Sequence, residues 1–583
     1  MKKIILYILC IGFLVGCDQD FKDLNQDPNV VDSPPLESVF TYVEKRLADY
    51  KGSEWYYDNH QIMPWMQYLV LGEANSGDVN NLQPRGGKYD IFYNEIFPHL
   101  YEIRRQIAEK PSEGQEFYKK MNAVTYVVQI FHALRISEMF GDMPYTEAGL
   151  GRSTGKLDPV YNRQADLFGI FHTELNSAIQ ALSDNTGDYF ELGRADFIYG
   201  GDWNKWIKLA NAVKLRLALR LESQDPSTAQ SIIQEVVSDG RIFESENDQF
   251  TYYISDMWRG TGGAGLEWKG VLWAAKPLVD FMKKTVDPRL RIFFEPNGFH
   301  KTTLDAIGDG ELPPVIDVEN DNKLLYTTAS GDSIFGYRYI GVPVNRNDPD
   351  LSDYDYSYSP TAVGSGAIQL SKWNQRLLMN CNKRYSGGPK GEGAYVDVLL
   401  SYAEVCFMMS EFILKDYTTG NAEDWYEKGI RSSMSTYDFI AQKAWLEPVV
   451  AKETYTHVPI STAEIDGYLD MPEVSFDGIH DLEKVYIQQY LNFYRLPDEG
   501  FTLGRRTGYP KFNSTLLARG KVDNPDLPWP RRMVTPDPGD LNRPNWFKSH
   551  EDQGFSGLDE SPEILNSQRV WWDKNNPALG EGN

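Results

Sequence analysis

Cysteine and histidine, which most often ligate metals or carry redox chemistry, are scarce in this sequence. Only four cysteines occur among 583 residues, and only Cys381 and Cys406 lie beyond the first 17 positions. Two thiols do not make a disulfide framework, and they are too few for a cysteine-ligated zinc site. The eight histidines include no pair four residues apart, which excludes a helical zinc-protease site of the HExxH type.

Basic residues and long apolar runs are also in short supply. Lysine and arginine number 58 against 83 aspartates and glutamates, which gives a formal net charge of −25. We do not expect such an acidic chain to bind nucleic acid, because phosphate neutralisation needs a clustered basic surface. Neutral and cationic ligands remain open. After the first 16 residues no stretch is apolar for long enough to span a membrane.

The amino terminus carries the one compact apolar run. Lys2 and Lys3 precede an apolar core from Ile4 to Val15, which is too short for a membrane span and has the pattern of a signal peptide. Residues 14–17 read Leu-Val-Gly-Cys and match a lipobox, which predicts that residues 1–16 are removed and that Cys17 is lipidated. The alternative is an ordinary secretory peptide with an incidental cysteine. Several acyl chains on Cys17 would anchor a soluble domain durably.

Residues 17–35 are predicted to be a lipidated tether, because Phe21 to Pro35 is polar and has no period. Helical periodicity then fills two blocks, about 36–240 and 393–510. The patterns run over Leu36–Tyr50, Glu54–Leu71, Tyr89–Glu109, Glu116–Phe140, Arg163–Leu182, Trp203–Leu221, Val396–Leu414, Ala422–Tyr437 and Leu482–Tyr494.

The region between these blocks, about 244–392, is rich in Gly, Asp, Asn, Tyr and Pro. It predicts loops and short strands laid over the helices, with one helix at Leu272–Lys284. Residues 511–583 form a segment rich in Pro, Asn and Arg. Its tryptophans at 529, 546, 571 and 572 are predicted anchoring points.

The chain is organised around the stretch from Phe117 to Gly149. Apolar residues recur at three- to five-residue spacing up to Met139, which predicts a long amphipathic helix. Gly141 can adopt the left-handed conformation that ends a helix, and Pro144 cannot continue one. Taken alone, this stretch indicates a capped core helix.

The run from Phe140 to Ala148, FGDMPYTEA, resembles the YGDVPYTEA signature of the SusD/RagB family, surface lipoproteins that bind nutrients beside a TonB-dependent transporter. Phe140 and Met143 are the two departures from that signature. Four further stretches resemble the family in the same order. They are DLN with DPN within 23–29, WIKLANAVKLR at 206–216, YAEV at 402–405 and GRRTGYP at 504–510.

This resemblance spans nearly the whole chain and implies its fold. We expect a mostly α protein, a tetratricopeptide-like scaffold of about four degenerate helix pairs with an irregular loop-rich insert bearing short strands. The strict 34-residue repeat is absent, so the period alone does not predict this scaffold. Residues 36–583 are expected to form one unit, because helices on both sides of the insert belong to the same scaffold.

Three strings that resemble catalytic or cofactor motifs are better explained as loops. Residues 260–265, GTGGAG, match a dinucleotide fingerprint, but no further βαβ units follow. Residues 151–155, GRSTG, match G-x-S-x-G without the strand and helix that a nucleophile elbow needs. Residues 317–321 place three acids at alternate positions but lack the glycine and distal glutamate of a calcium loop. No cofactor is expected, although a structural calcium ion there is an alternative.

A saccharide site combines aromatic rings, which cover apolar sugar faces, with polar side chains that pair with hydroxyls. Two regions fit this description: the loop after Gly72, and the insert, where Tyr337 and Tyr339 also lie. The alternation from 353 to 358 would place three tyrosines on one face of an extended chain. The alternative for each ring is packing of the insert onto the helices. The candidate residues are Asp78, Asn80, Asn81, Tyr89, Trp258, Trp268, Tyr354, Tyr356, Tyr358, Trp373, Arg384 and Tyr385.

The resemblance implies a lipoprotein of the outer membrane that faces the cell exterior, captures an oligosaccharide and passes it to a SusC-like TonB-dependent transporter. Asp18 and Asp20 resemble the acidic export signals of such lipoproteins. We expect no catalysis. The alternatives are the same architecture binding peptides, a surface glycosidase, which two suitably spaced carboxylates would suffice to build, and an assembly scaffold without a ligand.

Overall fold

A computed structural model describes residues 34–47, 61–71, 87–254, 272–308, 312–327, 333–345, 352–354, 357–358, 368–374, 377, 395–444, 457–521, 529–556 and 561–582. The predicted signal peptide and Cys17 lie outside these residues. None of the helices described is both long and apolar enough to cross a bilayer.

The amino-terminal half is a series of helices. They are α1 (Leu36–Arg46), α2 (Met63–Trp65), α3 (Gly87–Ile91), α4 (Phe97–Ala108), α5 (Ser112–Phe117), α6 (Lys119–Phe140), α7 (Gly151–Thr154), α8 (Gln164–Ser183), α9 (Trp203–Leu221) and α10 (Pro226–Asp239). A π-helical turn, Phe92–Ile96, joins α3 to α4. Strand β1 (Leu69–Leu71) and the short pair β2 (Met143–Pro144) and β3 (Tyr161–Asn162) interrupt the helices.

The middle of the chain supplies most of the strands. These are β4 (Phe250–Ile254), β5 (Leu272–Ala274), β6 (Phe294–Glu295), β7 (Leu324–Thr327), β8 (Ser333–Phe335), β9 (Ser357–Tyr358), β10 (Ile368–Gln369), β11 (Lys372–Trp373) and β12 (Tyr395–Leu400). Helices α11 (Lys276–Lys284), α12 (Leu290–Phe293) and α13 (Lys301–Ile307) lie among them.

Helices return in the last third, as α14 (Tyr402–Leu414), α15 (Ala422–Ala444), α16 (Thr462–Leu469), α17 (Asp481–Asn492), α18 (Pro497–Thr507), α19 (Arg543–Gln553) and α20 (Pro562–Ser567). The predicted mostly α architecture with a few short strands is therefore confirmed. Neighbouring helices pack as pairs: α6 on α8, α8 on α9, α9 on α10, and α14 on α15 and α17.

The long helix α6 is the centre of this stack. It packs against α4, α8 and α9, and it ends at Gly141, whose φ of +82° few other residues adopt. The next peptide N–H, that of Asp142, donates to Gln553 Oε1 at 3.1 Å. Asp142 Oδ1 in turn accepts the backbone N–H of Gln164 at 2.8 Å. The FGDMPYTEA run thus joins the end of α6 to the start of α8 and to α19.

Buried ion pairs tie α6 and α9 to the carboxyl-terminal helices. Arg216 donates to both carboxylate oxygens of Glu404, at 2.5 and 2.7 Å, and lies 3.0 Å from Glu499. Arg220 donates to Glu138 and to Glu499, each at 2.7 Å. All five side chains are almost fully buried, so each charge depends on its partners.

Three of the predicted helices are wrong in part, because the apolar run at one end of each forms a strand. Residues 69–71 at the end of the second pattern form β1, residues 272–274 form β5, and residues 396–400 lie in β12. A short apolar run buried on both sides has no period that separates strand from helix. The prediction of one helix in the insert is also wrong, because α12 and α13 lie there as well. The helices α10, α16, α18, α19 and α20 were not predicted from the pattern either.

Candidate functional site

The site that best matches the sequence predictions lies at a small four-stranded sheet. Its strand order is β1-β5-β11-β6, and all neighbours are antiparallel. Leu272, Ala274 and Trp373 belong to the main core, whereas Trp273, between Leu272 and Ala274, belongs to a second, smaller core with Phe299 and Val342. The sheet therefore separates two apolar layers.

The register of this sheet brings three chain segments to one of its ends. Leu71, the last residue of β1, pairs with Leu272, the first residue of β5. Because Lys372 pairs with Trp273 in an antiparallel arrangement, the carboxyl end of β11 lies at that same end. The segments 72–86, 255–271 and 375–394 therefore join the sheet at the same end of its strands.

Two of these segments also share their other attachment. Strands β4 and β12 pair antiparallel, with Ile254 opposite Tyr395. Segment 255–271 leaves β4 at residue 254, and segment 375–394 enters β12 at residue 395. Both segments thus run between the same end of the β4–β12 pair and the same end of the four-stranded sheet, although they are over 100 residues apart in sequence.

Most of the candidate binding residues lie on these three segments, and so outside the described residues. They are Asp78, Asn80, Asn81, Trp258, Trp268, Arg384 and Tyr385. Tyr356 also lies outside the described residues, and Tyr358 is described only through its backbone in β9. Strand β10, which pairs with β9, precedes β11 and therefore joins the opposite end of the sheet.

Tyr89 lies just after the first of these segments. Its ring is partly buried and contacts Tyr93 and Phe140, with centroid separations of 4.6 and 5.2 Å. Burial raises the pKa of the Tyr89 hydroxyl well above its usual value, so the group stays neutral. This position places Tyr89 against the end of α6 and beside the segment that carries Asp78.

Trp373 and Tyr354 lie at the sheet, but neither ring stands free in solvent. The Trp373 side chain is completely buried in the main core, and its indole N–H has no hydrogen-bond partner among the described residues. Tyr354 is partly buried and packs against the second core. Both observations fit the packing alternative for these two rings. Tyr337 and Tyr339 are buried as well.

The structure adds a ring that sequence reasoning missed. Tyr253 in β4 is 46% exposed, and it lies directly before segment 255–271, opposite Val396 of β12. The signal was the alternation of β4 itself, in which Phe250 and Tyr252 are buried and the intervening positions face outward.

Two basic side chains, Lys88 at the start of α3 and Arg135 of α6, meet the carboxylate of Asp498. Lys88 Nζ is 3.1 Å from Asp498 Oδ2, and Arg135 donates to that same oxygen at 2.6 Å. Burial acts to raise the pKa of Asp498, but the charges of Arg135 and Lys88 outweigh it and hold the pKa below its usual range. His132 nearby is partly buried, and desolvation lowers its pKa well below its usual value, so the imidazole is neutral.

The sequence runs that resemble catalytic or metal-binding motifs form ordinary helix, turn and ion-pair contacts in the part of the chain that the structure describes. Residues 151–154 form α7, in which Ser153 Oγ donates to the Leu150 carbonyl. Asp317 accepts the backbone N–H of Asn320 at 2.9 Å, and Asp321 pairs with Lys283. No group of three or more potential metal ligands occurs among the described residues. The glycine string 260–265 lies outside them.

Comparison with known proteins agrees with this architecture. A family model described as "SusD-like: starch-binding associating with outer membrane" matches residues 28–536. A SusD homologue from Bacteroides fragilis superimposes with a TM-score of 0.65 at 20% identity, covering 92% of this chain and 100% of its own. No curated protein matches the chain.

Two solved structures with this fold carry descriptions of a ligand. One, described as a chitin-binding protein, has a TM-score of 0.64 at 20% identity and covers 93% of this chain and 100% of its own. A chitin-binding SusD homologue from Flavobacterium johnsoniae has a TM-score of 0.59 at 17% identity, covering 93% of this chain and 99% of its own. At such identities the likeness shows the tetratricopeptide-like helical fold and not the ligand. Because the family model covers most of the chain, the protein belongs to the SusD-like (SusD/RagB) family.

Proposed function

We propose that this protein is a cell-surface lipoprotein that captures an oligosaccharide and delivers it to a TonB-dependent transporter in the outer membrane. The family match over residues 28–536 carries this proposal. The starch-binding description of the family model and the two chitin-binding structures favour a glycan over a peptide as the cargo.

The proposed ligand site is the end of the β1-β5-β11-β6 sheet. Segments 72–86, 255–271 and 375–394 attach there, and together they supply two tryptophans, a tyrosine, four arginines and several side-chain amides and carboxylates. Exposed rings would cover the apolar faces of sugar units, and the polar side chains would pair with hydroxyls. Tyr253 presents a further ring at the base of segment 255–271.

This chemistry needs no bond to be made or broken. Each stacked ring would contribute about 1 kcal/mol or more where solvent is excluded, so a few rings give an affinity weak enough for release. A purified ectodomain of residues 18–583 should therefore bind a glycan and leave it uncleaved. Turnover of a labelled glycan would instead favour the glycosidase alternative.

The ligand test compares glycans with peptides on the same protein. We expect isothermal titration with malto-oligosaccharides, chito-oligosaccharides or soluble starch to give a signal that a peptide library does not. Changing Trp258 and Trp268 together to Ala should weaken glycan binding at least tenfold, since 1.4 kcal/mol corresponds to a factor of ten. Trp425→Ala is the matched control, because this ring lies in α15 of the scaffold, under Lys428.

Two results would contradict the glycan assignment. One is saturable binding of peptides with no binding of any glycan tested, which would favour the peptide alternative. The other is equal loss of affinity in the Trp425 control, which would mean that the affinity depends on the scaffold and not on the proposed site.

The lipid anchor is tested at Cys17. We expect metabolic labelling with a fatty-acid analogue to mark the wild-type chain, and Cys17→Ser to abolish the label and release the protein from the membrane fraction. Protease accessibility on intact cells then tests the outward orientation. A Cys17→Ser chain that remains in the outer membrane would show that something other than lipid holds it.

The transporter contact is assigned to an exposed apolar patch that we call the 157/541 patch, made of Leu157, Val160, Leu541 and Phe547. Leu157 and Leu541 are 63% and 70% exposed. Asn545 Nδ2 joins the two halves by donating to the carbonyl oxygens of residues 158 and 159, at 2.9 and 3.3 Å. Exposed apolar patches on soluble domains commonly mark interfaces.

Charge decides which partner the 157/541 patch fits. Asp158, Asp537 and Asp540 surround it, and Arg543 pairs with the last two of these, so acidic groups are in excess. A second copy of this acidic chain would be repelled, whereas a transporter surface with basic groups would be attracted. We expect Leu541→Asp to reduce co-purification of a TonB-dependent transporter from the outer membrane, and Ile479→Asp, at an exposed turn elsewhere, to leave it unchanged. Equal effects would refute the assignment.

A further inference from the structure

A second concave site lies on the helical scaffold, between α8, α9 and α10. We call it the α8–α10 groove. Its volume is about 460 Å³, within the usual range for small-molecule sites. Helices α8 and α10 form its sides and α9 its floor. Its lining is almost entirely polar: Asn176, Ile179, Gln180, Ser183, Asp184, Lys214, Glu235, Asp239 and Arg241.

The charged groups of the groove neutralise one another. Lys214 Nζ donates to Glu235 Oε1 at 2.7 Å, and Arg241 makes a two-pronged contact with Asp239. Asp184 pairs with Lys119 at 2.7 Å. A charged ligand would have to displace these pairs, whereas a neutral ligand that hydrogen-bonds would not. The groove therefore favours a neutral polar ligand.

One group at the floor retains unused hydrogen-bonding capacity. Lys214 is buried and donates to Asn176 and Glu235, which leaves one of its three protons unused. The buried Asn211 side chain holds two lining residues in place, because its amide donates to Asp239 Oδ1 and the Arg241 carbonyl at 3.1 and 2.9 Å.

A hydroxyl group meets this need, because it accepts the Lys214 proton through a lone pair and can donate its own proton to a lining carboxylate. Several hydroxyls in fixed relation, as on a sugar ring, would also reach the exposed amide of Gln180 and Ser183 Oγ. Ile179 is the only apolar residue among those that line the groove, and the carbon stems of the polar side chains add further apolar surface.

We propose that the α8–α10 groove is a second saccharide-binding site, distinct from the sheet end and specific for neutral sugar units. This inference rests on the proposed function, since it takes the cargo of the protein to be a glycan. Without an aromatic ring for stacking, the groove should bind weakly, with a dissociation constant near 1 mM. Such a site would hold a second stretch of a polysaccharide and prolong its stay on the protein.

The test uses the ectodomain, residues 18–583, labelled at isoleucine δ1 methyl groups and titrated with maltotriose and with diacetylchitobiose. The Ile179 methyl, assigned through Ile179→Val, reports on the groove, and the Ile170 methyl on the same helix is the internal control. Gln180→Trp fills the groove from an exposed position. Ser177→Trp places the same ring at another exposed position of α8 and is the matched variant.

We expect at least one sugar to shift the Ile179 methyl saturably at millimolar concentration and to leave Ile170 unmoved. Gln180→Trp should abolish the shift and Ser177→Trp should retain it. The shift should also persist when Trp258 and Trp268 are changed to Ala, because the groove is separate from the sheet end.

The failure of each proposal gives a different result. If calorimetry detects glycan binding but Ile179 does not move, or moves equally in Gln180→Trp, the groove holds water only and this inference is wrong. If Ile179 shifts but the Trp258 and Trp268 changes leave all binding intact, the groove stands and the sheet-end site is wrong. If no sugar binds by either measurement, both are wrong.

Discussion

Replacing Arg216 with Met tests whether the buried ion pairs hold the scaffold together. Arg216 makes two hydrogen bonds to Glu404, lies 3.0 Å from Glu499 and donates to the Leu399 carbonyl. Met fills a similar volume but leaves the buried Glu404 carboxylate without a cation. Breaking a buried pair in this way costs about 3 to 5 kcal/mol.

This cost can be converted into a change in melting temperature. An unfolding entropy of about 2.1 cal/mol/K per residue gives about 1.2 kcal/mol/K for a chain of this length that unfolds as one unit. Arg216→Met should therefore melt about 2.5 to 4 °C lower by calorimetry. The control is Arg105→Met, whose ion pairs with Glu102 and Glu109 lie at the surface. It should cost at most about 1 kcal/mol, or under about 1 °C.

A second change separates the charge effect from packing. Glu404→Gln in the Arg216→Met background removes the unpaired carboxylate and should recover part of the loss. Burial already raises the pKa of Glu404, so without Arg216 the group should be protonated more readily. The deficit should then be smaller at pH 5 than at pH 8, since a raised pKa costs stability as the pH rises. Equal melting of Arg216→Met and Arg105→Met, or no recovery in the double variant, would refute this reasoning.

Three other substitutions test the end of α6 and its surroundings. Burial raises the pKa of Asp142 to about 6. Ionised Asp142 therefore lowers the free energy of unfolding progressively as the pH rises from about 4 to above 6. By calorimetry, Asp142→Asn should be more stable than the wild type by up to about 3 kcal/mol at pH 7.5 and equally stable at pH 4. Gly141→Ala should destabilise by about 1 to 3 kcal/mol, because φ is +82° and a Cβ would lie 2.0 Å from Gln553 Oε1; adding Gln553→Ala should recover only the steric part. Arg135→Met removes one of the two cations that hold the pKa of Asp498 low. Its deficit in calorimetry should be largest at pH 7 and narrow at acidic pH, because the Asp498 carboxyl of the folded variant, with one cation fewer, takes up a proton at a pH where that of the wild type stays ionised.

The helical scaffold was predictable because its information is local. The pattern from residue 203 to 221 matches α9 at both ends, and Asp202 caps that helix by accepting the backbone N–H groups of Asn204 and Lys205. The stop at Gly141 was likewise visible in the sequence. Where periodicity failed, as at β1 and β5, the strand is three residues long and its pairing partner lies 200 residues away. No local pattern carries that information.

For the proposed binding region, the sequence predicted even less of the structure than it did for the helices. Residue types could identify segments rich in rings and polar side chains, but not which rings face outward. Trp373 and Tyr253 show this, since the first is fully buried and the second is 46% exposed. Burial of a ring in a short strand depends on which face the sheet turns to the core, and that depends on register.

Register also explains how a helical scaffold can position the proposed ligand site. The pairing of Leu71 with Leu272 and of Ile254 with Tyr395 fixes where the three candidate segments begin and end. Tyr68, directly before β1, stacks on Tyr490 of α17 at 4.2 Å and donates to its carbonyl oxygen at 2.7 Å. The sheet end is therefore positioned by the helical core. Leu377, shortly after β11, is also fully buried in that core, so the start of segment 375–394 is held at the sheet end by packing as well as by strand pairing.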